Sequence, residues 1–280
     1  MKVFDFIKTL FYVVLILSLA QPLIRHSKEF FQRNLDPSTQ VGYLKISGMI
    51  TNSSSYVKAL QSYFNNPDIK AILLEIESPG GASGSAAAMF NEILIMKKKH
   101  PKSIIVLVEN VCASAAYWIA CAADHIIASP AALIGSIGTS LPYQFNLKDL
   151  LTEYHIKYET TSTEKHKSAT DPFVDTTPEQ QAMFQKICDQ TYEEFTNDVA
   201  RQRNKVSIKD VATWADGKVF SGREALALGL IDEIGSQSNV IAWLREAIPT
   251  DGKITWVKQD AKSRLVRWFE NDSPSDTENL

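Results

Sequence analysis

Ala71-Ile-Leu-Leu-Glu-Ile-Glu-Ser-Pro-Gly-Gly81 is the stretch whose reading decides the fold. Its apolar run, Ala71 to Ile76, reads as a buried strand that stops at Ser78-Pro-Gly-Gly81, where proline and glycine punctuate the chain. A helical stretch, Ser83 to Lys99, follows. The order then recurs: strand Ser103–Glu109, a tight turn, helix Ala113–Ala123, strand His125–Ala128, and the glycine-containing Leu133-Ile-Gly-Ser-Ile-Gly-Thr-Ser140. Upstream, Gly42–Ile50 alternates apolar and polar residues as a half-buried strand does, and Ser54 to Phe64 is helical. Strand–turn–helix alternation of this kind is the pattern of parallel α/β folds.

Downstream the chain turns helical. Thr177 is placed to cap, Pro178 suits a first helical turn, Gln180 completes a capping box, and Phe184, Ile187, Cys188, Phe195 and Val199 keep a rough helical stripe. A shorter helix starts near Ser207. Phe220–Gly235 reads as a turn, a short helix ended by Gly229, and a strand; helix Ser238–Ala247 and Lys253–Lys258 complete the domain. The organisation expected is a flank over 1–8, an apolar segment over 9–24, a polar linker over 25–40, one folded domain over 41–258, and a tail over 259–280 that is disordered at its end.

Thr9 to Ile24 is nearly free of charge and lies between Lys2 and Lys8 on one side and Arg25 and Lys28 on the other. Its sixteen residues, at about 1.5 Å each, cover about 24 Å of a hydrocarbon core roughly 30 Å thick, with Lys8 and Arg25 placed to snorkel. The segment reads as a membrane anchor. Ser18-Leu19-Ala20 also suits the end of a cleavable signal peptide, and that alternative stays open.

Composition excludes other classes. The 280 residues carry 29 Lys+Arg against 32 Asp+Glu, with 45% hydrophobic and 22% charged residues, an ordinary globular balance. A pI near 6.0 argues against a nucleic-acid partner, and the one basic run, Lys97-Lys98-Lys99, sits at a helix end. Cys112, Cys121 and Cys188 are too scattered for a disulfide framework or a zinc site, and five isolated histidines have no ligand spacing, so metal catalysis has no support.

Two strand-to-turn junctions have chemical potential. Gly80-Gly81 ends a buried strand before a helix and exposes backbone N–H groups at the positive end of that helix, which suits an oxyanion, although an ordinary strand–helix turn is the commoner use of such glycines. Ser114 opens a helix after an apolar strand, with the N–H of Ala115 pointing into the same space. A serine there serves as a nucleophile with half an oxyanion hole built in, or as a plain N-cap. A nucleophilic hydroxyl needs a base, and His125 and Lys167 are the two candidates. A lysine accepts a proton only when neutral; lowering an amine from about 10.4 to about 7.4 costs about 4 kcal/mol, a shift that apolar burial supplies.

Taken together, Ser78-Pro-Gly-Gly81, Cys112-Ala-Ser-Ala-Ala-Tyr117, Leu133-Ile-Gly-Ser-Ile-Gly138, His166-Lys167 before Pro172, and Asp216-Gly-Lys-Val-Phe-Ser-Gly-Arg223 running into Leu230-Ile-Asp-Glu-Ile-Gly235 resemble, in order and spacing, the signal peptide peptidase A (SppA) family of Ser–Lys membrane peptidases. The resemblance covers about Val41 to Leu244. It implies a ClpP/crotonase-like α/β fold of stacked strand–strand–helix units with a helical C-terminal part. It places Ser114 on the nucleophile, Lys167 on the general base, Ser136 on the hydroxyl that hydrogen-bonds the lysine, and Gly80, Gly81 and Ala115 on the oxyanion hole.

The resemblance further implies a serine endopeptidase without cofactor that acts on remnant signal peptides and other extended hydrophobic segments. The enzyme would be a single-pass protein of the inner or cytoplasmic membrane, with its catalytic domain outside the cytoplasm. A homo-oligomer whose adjacent protomers share each serine–lysine site is expected. One departure is Ser114-Ala115-Ala116 where the family commonly has Ser-Gly-Gly, which predicts a narrower pocket. A ClpP-like Ser-His-Asp peptidase using His125, and an inactive membrane-anchored scaffold of the same fold, are the alternatives.

Overall fold

The computed structural model describes residues 38–142, 145–250 and 252–258. The chain runs β1 (Ser38–Ser47), α1 (Ser54–Asn65), β2 (Ile69–Glu77), α2 (Ser83–Lys99), β3 (Ser103–Val108), β4 (Val111–Ala113), α3 (Ala115–Ala120), β5 (His125–Ala128) and β6 (Leu133–Gly135). It continues through α4 (Lys148–Glu153), the long α5 (Pro178–Gln202), a 3₁₀ turn at Ile208–Asp210, α6 (Val211–Trp214), β7 (Val219–Ser221), α7 (Gly222–Leu228), β8 (Glu233–Ile234), α8 (Gln237–Ala247) and β9 (Lys253–Lys258). Segment 9–24, its flank 1–8 and the tail 259–280 lie outside the described residues. Among the described residues no helix is long and apolar enough to cross a membrane.

Six strands form a parallel sheet in the order β8-β5-β3-β2-β1-β9. β2 and β3 lie at its centre, and their near-continuous apolar sequences follow from burial on both faces, as in any parallel sheet covered by helices. One face packs against α1, α2 and α3, where Ala86, Met89, Phe90, Ile93 and Met96 keep the inward stripe of α2. The other face carries Val41, Ala71, Leu73 and Ile105 against Val240 and Leu244 of α8. Lys97–Lys99 form the last turn of α2, where cations oppose the negative helix end, and Lys97 also pairs with Asp124 at 2.6 Å.

A second, three-stranded sheet has the order β4-β6-β7, with β4–β6 parallel and β6–β7 antiparallel. It grows from the first sheet through a bridge between Ser78 and Cys112.

Several boundaries differ from the sequence reading, each for a local reason. β1 takes Ser38–Gln40 from the expected linker because those residues pair with β9, and it stops before Gly48, whose φ of 70° turns the chain. Ile50 instead bridges Gly81. The helix expected over Ala113–Ala123 is shorter because Val111–Ala113 is claimed by β6. α5 begins with the capping box of Thr177 and Gln180, with Pro178 in its first turn. Only its C-terminal half enters the core, through Phe195 and Val199; Ile187, expected on the buried stripe, is exposed.

Candidate active site

The small sheet delivers two serines to one place. Ala113 of β4 and Gly135 of β6 are register partners, so Ser114 and Ser136 leave the ladder side by side at the same end. Both have positive φ, 53° and 49°, a conformation that costs a non-glycine residue about 1–3 kcal/mol. Backbone bonds hold each of them there. The Ser114 N–H donates to Gly135 O at 2.7 Å, its carbonyl accepts from Trp118 N–H at 3.1 Å, and the Ser136 N–H donates to Lys218 O at 2.6 Å. Ser114 precedes α3, yet its hydroxyl makes no capping bond, so the ordinary N-cap role is not the one seen.

Ser114 and Ser136 line a cleft of about 600 Å³ whose other walls include Gly81, Asp189, Tyr192 and Asp216. The sequence reading missed the contribution of α5, which supplies Gln185, Cys188, Asp189 and Tyr192. The available signal was the exposed polar face of its N-terminal half. The cleft is consequently lined mainly by polar residues. The alanine methyls also behave differently from expectation: Ala115 and Ala116 pack into the main core instead of lining the cleft, so they do not narrow it.

The three expected oxyanion donors are not equivalent. A methyl built on Gly80 would stand 3.0 Å from Ala115 N, which places the glycine turn directly against the start of α3. The Gly80 N–H already donates to Ser78 Oγ at 3.1 Å. Among the described residues no acceptor of the chain takes the N–H of Gly81 or Ala115.

Lys167 is elsewhere. It is exposed, in a turn-rich segment, and lines a separate pocket with Tyr158, Asp171 and Phe173. Within one chain the structure therefore brings Ser114, Ser136, Gly81 and the N-terminus of α3 together and does not bring Lys167 to them. His125 is also outside the cleft: its ring stacks on Trp243, centroids 5.3 Å apart, and its Nε2 meets Glu233 Oε2 at 3.2 Å. Among the described residues no cluster of His, Cys, Asp or Glu could hold a metal ion.

Residues 96–250 match the profile of peptidase family S49, a span that includes Ser114, Ser136 and Lys167. A provisionally named protease of Methanocaldococcus jannaschii is 31% identical over 191 residues, which are 68% of this chain and 60% of that protein. Another, from Synechocystis, is 27% identical over 206 residues, 73% of each chain. A provisionally named signal peptide peptidase SppA of Enterococcus faecium is 28% identical over 221 residues, 79% of this chain and 63% of that protein. The chain thus spans less than two thirds of the length of the first and third of these relatives.

Proposed function

The chain belongs to peptidase family S49, the family of SppA-type peptidases, and from that premise we propose that it is a membrane-associated serine endopeptidase with a Ser–Lys dyad on a ClpP/crotonase-like fold. Its substrates are remnant signal peptides and other extended hydrophobic peptides. The observation that carries the reading is Ser114. It is held in a costly backbone conformation, has no capping bond, and lies in a cleft beside unengaged backbone N–H groups at a helix N-terminus.

Ser114 Oγ attacks the scissile carbonyl while Lys167 takes its proton, with the Ser136 hydroxyl holding the amine in place. Backbone N–H groups receive the oxyanion, the protonated lysine returns its proton to the leaving amine, and water releases the acyl group. The scheme requires no cofactor. An extended substrate lies along the cleft and makes main-chain bonds as an added strand would.

Lys167 reaches Ser114 from an adjacent copy. The same stretch of chain supports this: α4 has no buried residue, and Leu150, Tyr154, Ile156 and Tyr158 expose large apolar surface that a docked neighbour would cover. The apolar segment 9–24 anchors the assembly in the inner or cytoplasmic membrane, with the peptidase domain outside the cytoplasm.

Labelling with an activated fluorophosphonate, combined with hydrolysis of a fluorogenic peptide, tests the nucleophile. Adduct on Ser114, and loss of both signals in Ser114→Ala, is the expected result. Hydrolysis that survives Ser114→Ala overturns the reading.

A further inference from the structure

Ser78 is fully buried, and no step of the proposed reaction uses it. Its hydroxyl nevertheless occupies the centre of the turn that faces Ser114. The Oγ–H donates to Gly48 O at 2.6 Å, and the same oxygen accepts the Gly80 N–H at 3.1 Å. Its backbone joins the nucleophile's strand, because Ser78 N–H donates to Val111 O at 2.9 Å and Ala113 N–H donates to Ser78 O at 3.1 Å. One residue therefore connects the end of β1, the glycine turn and the strand that delivers Ser114.

The next peptide plane shows the effect on the turn. Gly80 O accepts from Ile50 N–H at 2.8 Å, and Ala82 N–H donates to Ile50 O at 2.8 Å. In a trans peptide the C=O and the following N–H point in opposite directions. With Gly80 O turned toward Ile50, the Gly81 N–H is turned away from it, and Gly81 lines the cleft. The same argument applies to Ala115: Ser114 O points along α3 to Trp118, so the Ala115 N–H points out of the helix. Of the three glycine-turn and helix-end amides near Ser114, Gly80 is engaged internally and the other two are open.

We propose that Ser78 is the positioning residue of the oxyanion site: by holding the Gly80 N–H and Gly48 O it fixes the Pro79–Gly80 peptide and seats the glycine turn on the Gly48–Ile50 segment, whose Ile50 N–H in turn fixes the Gly80–Gly81 peptide, so that the oxyanion falls to the amides of Gly81 and Ala115. The inference rests on Ser114 being the nucleophile. It gives Gly80 a different task, that of bringing a bare α-carbon against Ser114, where a methyl would stand 2.8 Å from Ser114 Cβ.

The test compares wild type, Ser78→Ala, Ser78→Thr and Ser114→Ala in full-length protein, using hydrolysis of a fluorogenic peptide and thermal melts. Ser78→Ala should lower kcat roughly 10- to 100-fold with KM changed less than about twofold, since only the transition state bears the oxyanion. Ser78→Thr, which keeps the hydroxyl, should recover most of the rate. An unchanged kcat in folded Ser78→Ala, beside a dead Ser114→Ala, overturns the role of Ser78 and leaves the nucleophile intact; an active Ser114→Ala overturns both.

Should Ser78→Ala not fold, wild-type protein labelled with ¹⁵N and bound to a peptide aldehyde decides the same point. On adduct formation the Gly81 and Ala115 amides move downfield and Gly80 does not. A downfield shift of Gly80 contradicts the assignment.

Discussion

The indole Nε1 of Trp118 donates to Asp198 Oδ2 at 3.0 Å, and the same indole stacks on Phe195 with ring centroids 4.6 Å apart. This contact ties α3, the helix that begins behind Ser114, to α5, the helix that walls the cleft. The distance between the nucleophile and that wall is therefore set by a buried pair. Burial pushes the Asp198 carboxyl above the usual carboxylate range, against the opposing effects of the Trp118 bond and the Arg201 guanidinium.

Because folding raises this carboxyl, the stability it contributes belongs to the protonated form. That contribution is fully present below the unfolded carboxylate value and is lost as pH rises through the folded one. Asp198→Asn keeps an acceptor for the indole and removes the charge. It should stabilise the protein at pH 7, with the gain vanishing in acid. Urea melts across pH check this; an Asn variant less stable than wild type at pH 7 would mean that the charge itself holds the indole.

Gly80 and Gly84 give a matched pair. Alanine at Gly80 meets Ala113 O and Ser114 Cβ, each at 2.8 Å, at a φ of 109°. It should cost about 1–3 kcal/mol and lower hydrolysis at least about 100-fold. Gly84 lies in α2 with nothing within 4 Å of an added methyl, and Gly84→Ala should stabilise by about 0.5–1 kcal/mol with activity retained. Melting curves and initial rates distinguish the two.

His125 is a structural residue in this account. Removing its ring in His125→Ala loses the stack on Trp243 and the contact with Glu233, worth about 0.5–1.5 kcal/mol for the ring pair. Turnover should survive in the folded fraction. If turnover is lost while Lys167→Ala stays active, a Ser-His-Asp site replaces the Ser–Lys one.

Much of the fold is legible because local signals and tertiary demands agree. The apolar run Ala71–Ile76 became the central strand, Thr177-Pro178 with Gln180 formed its capping box, and Gly229, with φ of 80°, ends α7. The small sheet was not legible. Its three-residue strands have no period of their own, and their pairing of Ala113 with Gly135 is a long-range event. That pairing is also what places Ser136 beside Ser114, so the site's geometry lay beyond local pattern. The polar wall from α5 escaped for a related reason: the stripe through Ile187 and Cys188 has helical spacing, yet among the described residues Ile187 stays exposed and Cys188 is only partly covered.

Mixing Ser114→Ala chains with Lys167→Ala chains tests the central claim most directly. Each variant alone should be inactive, and co-assembled mixtures should regain part of the wild-type peptide hydrolysis, because some interfaces then pair an intact serine with an intact lysine. Proven co-assembly with no recovered hydrolysis, or a fully active Lys167→Ala, would contradict it.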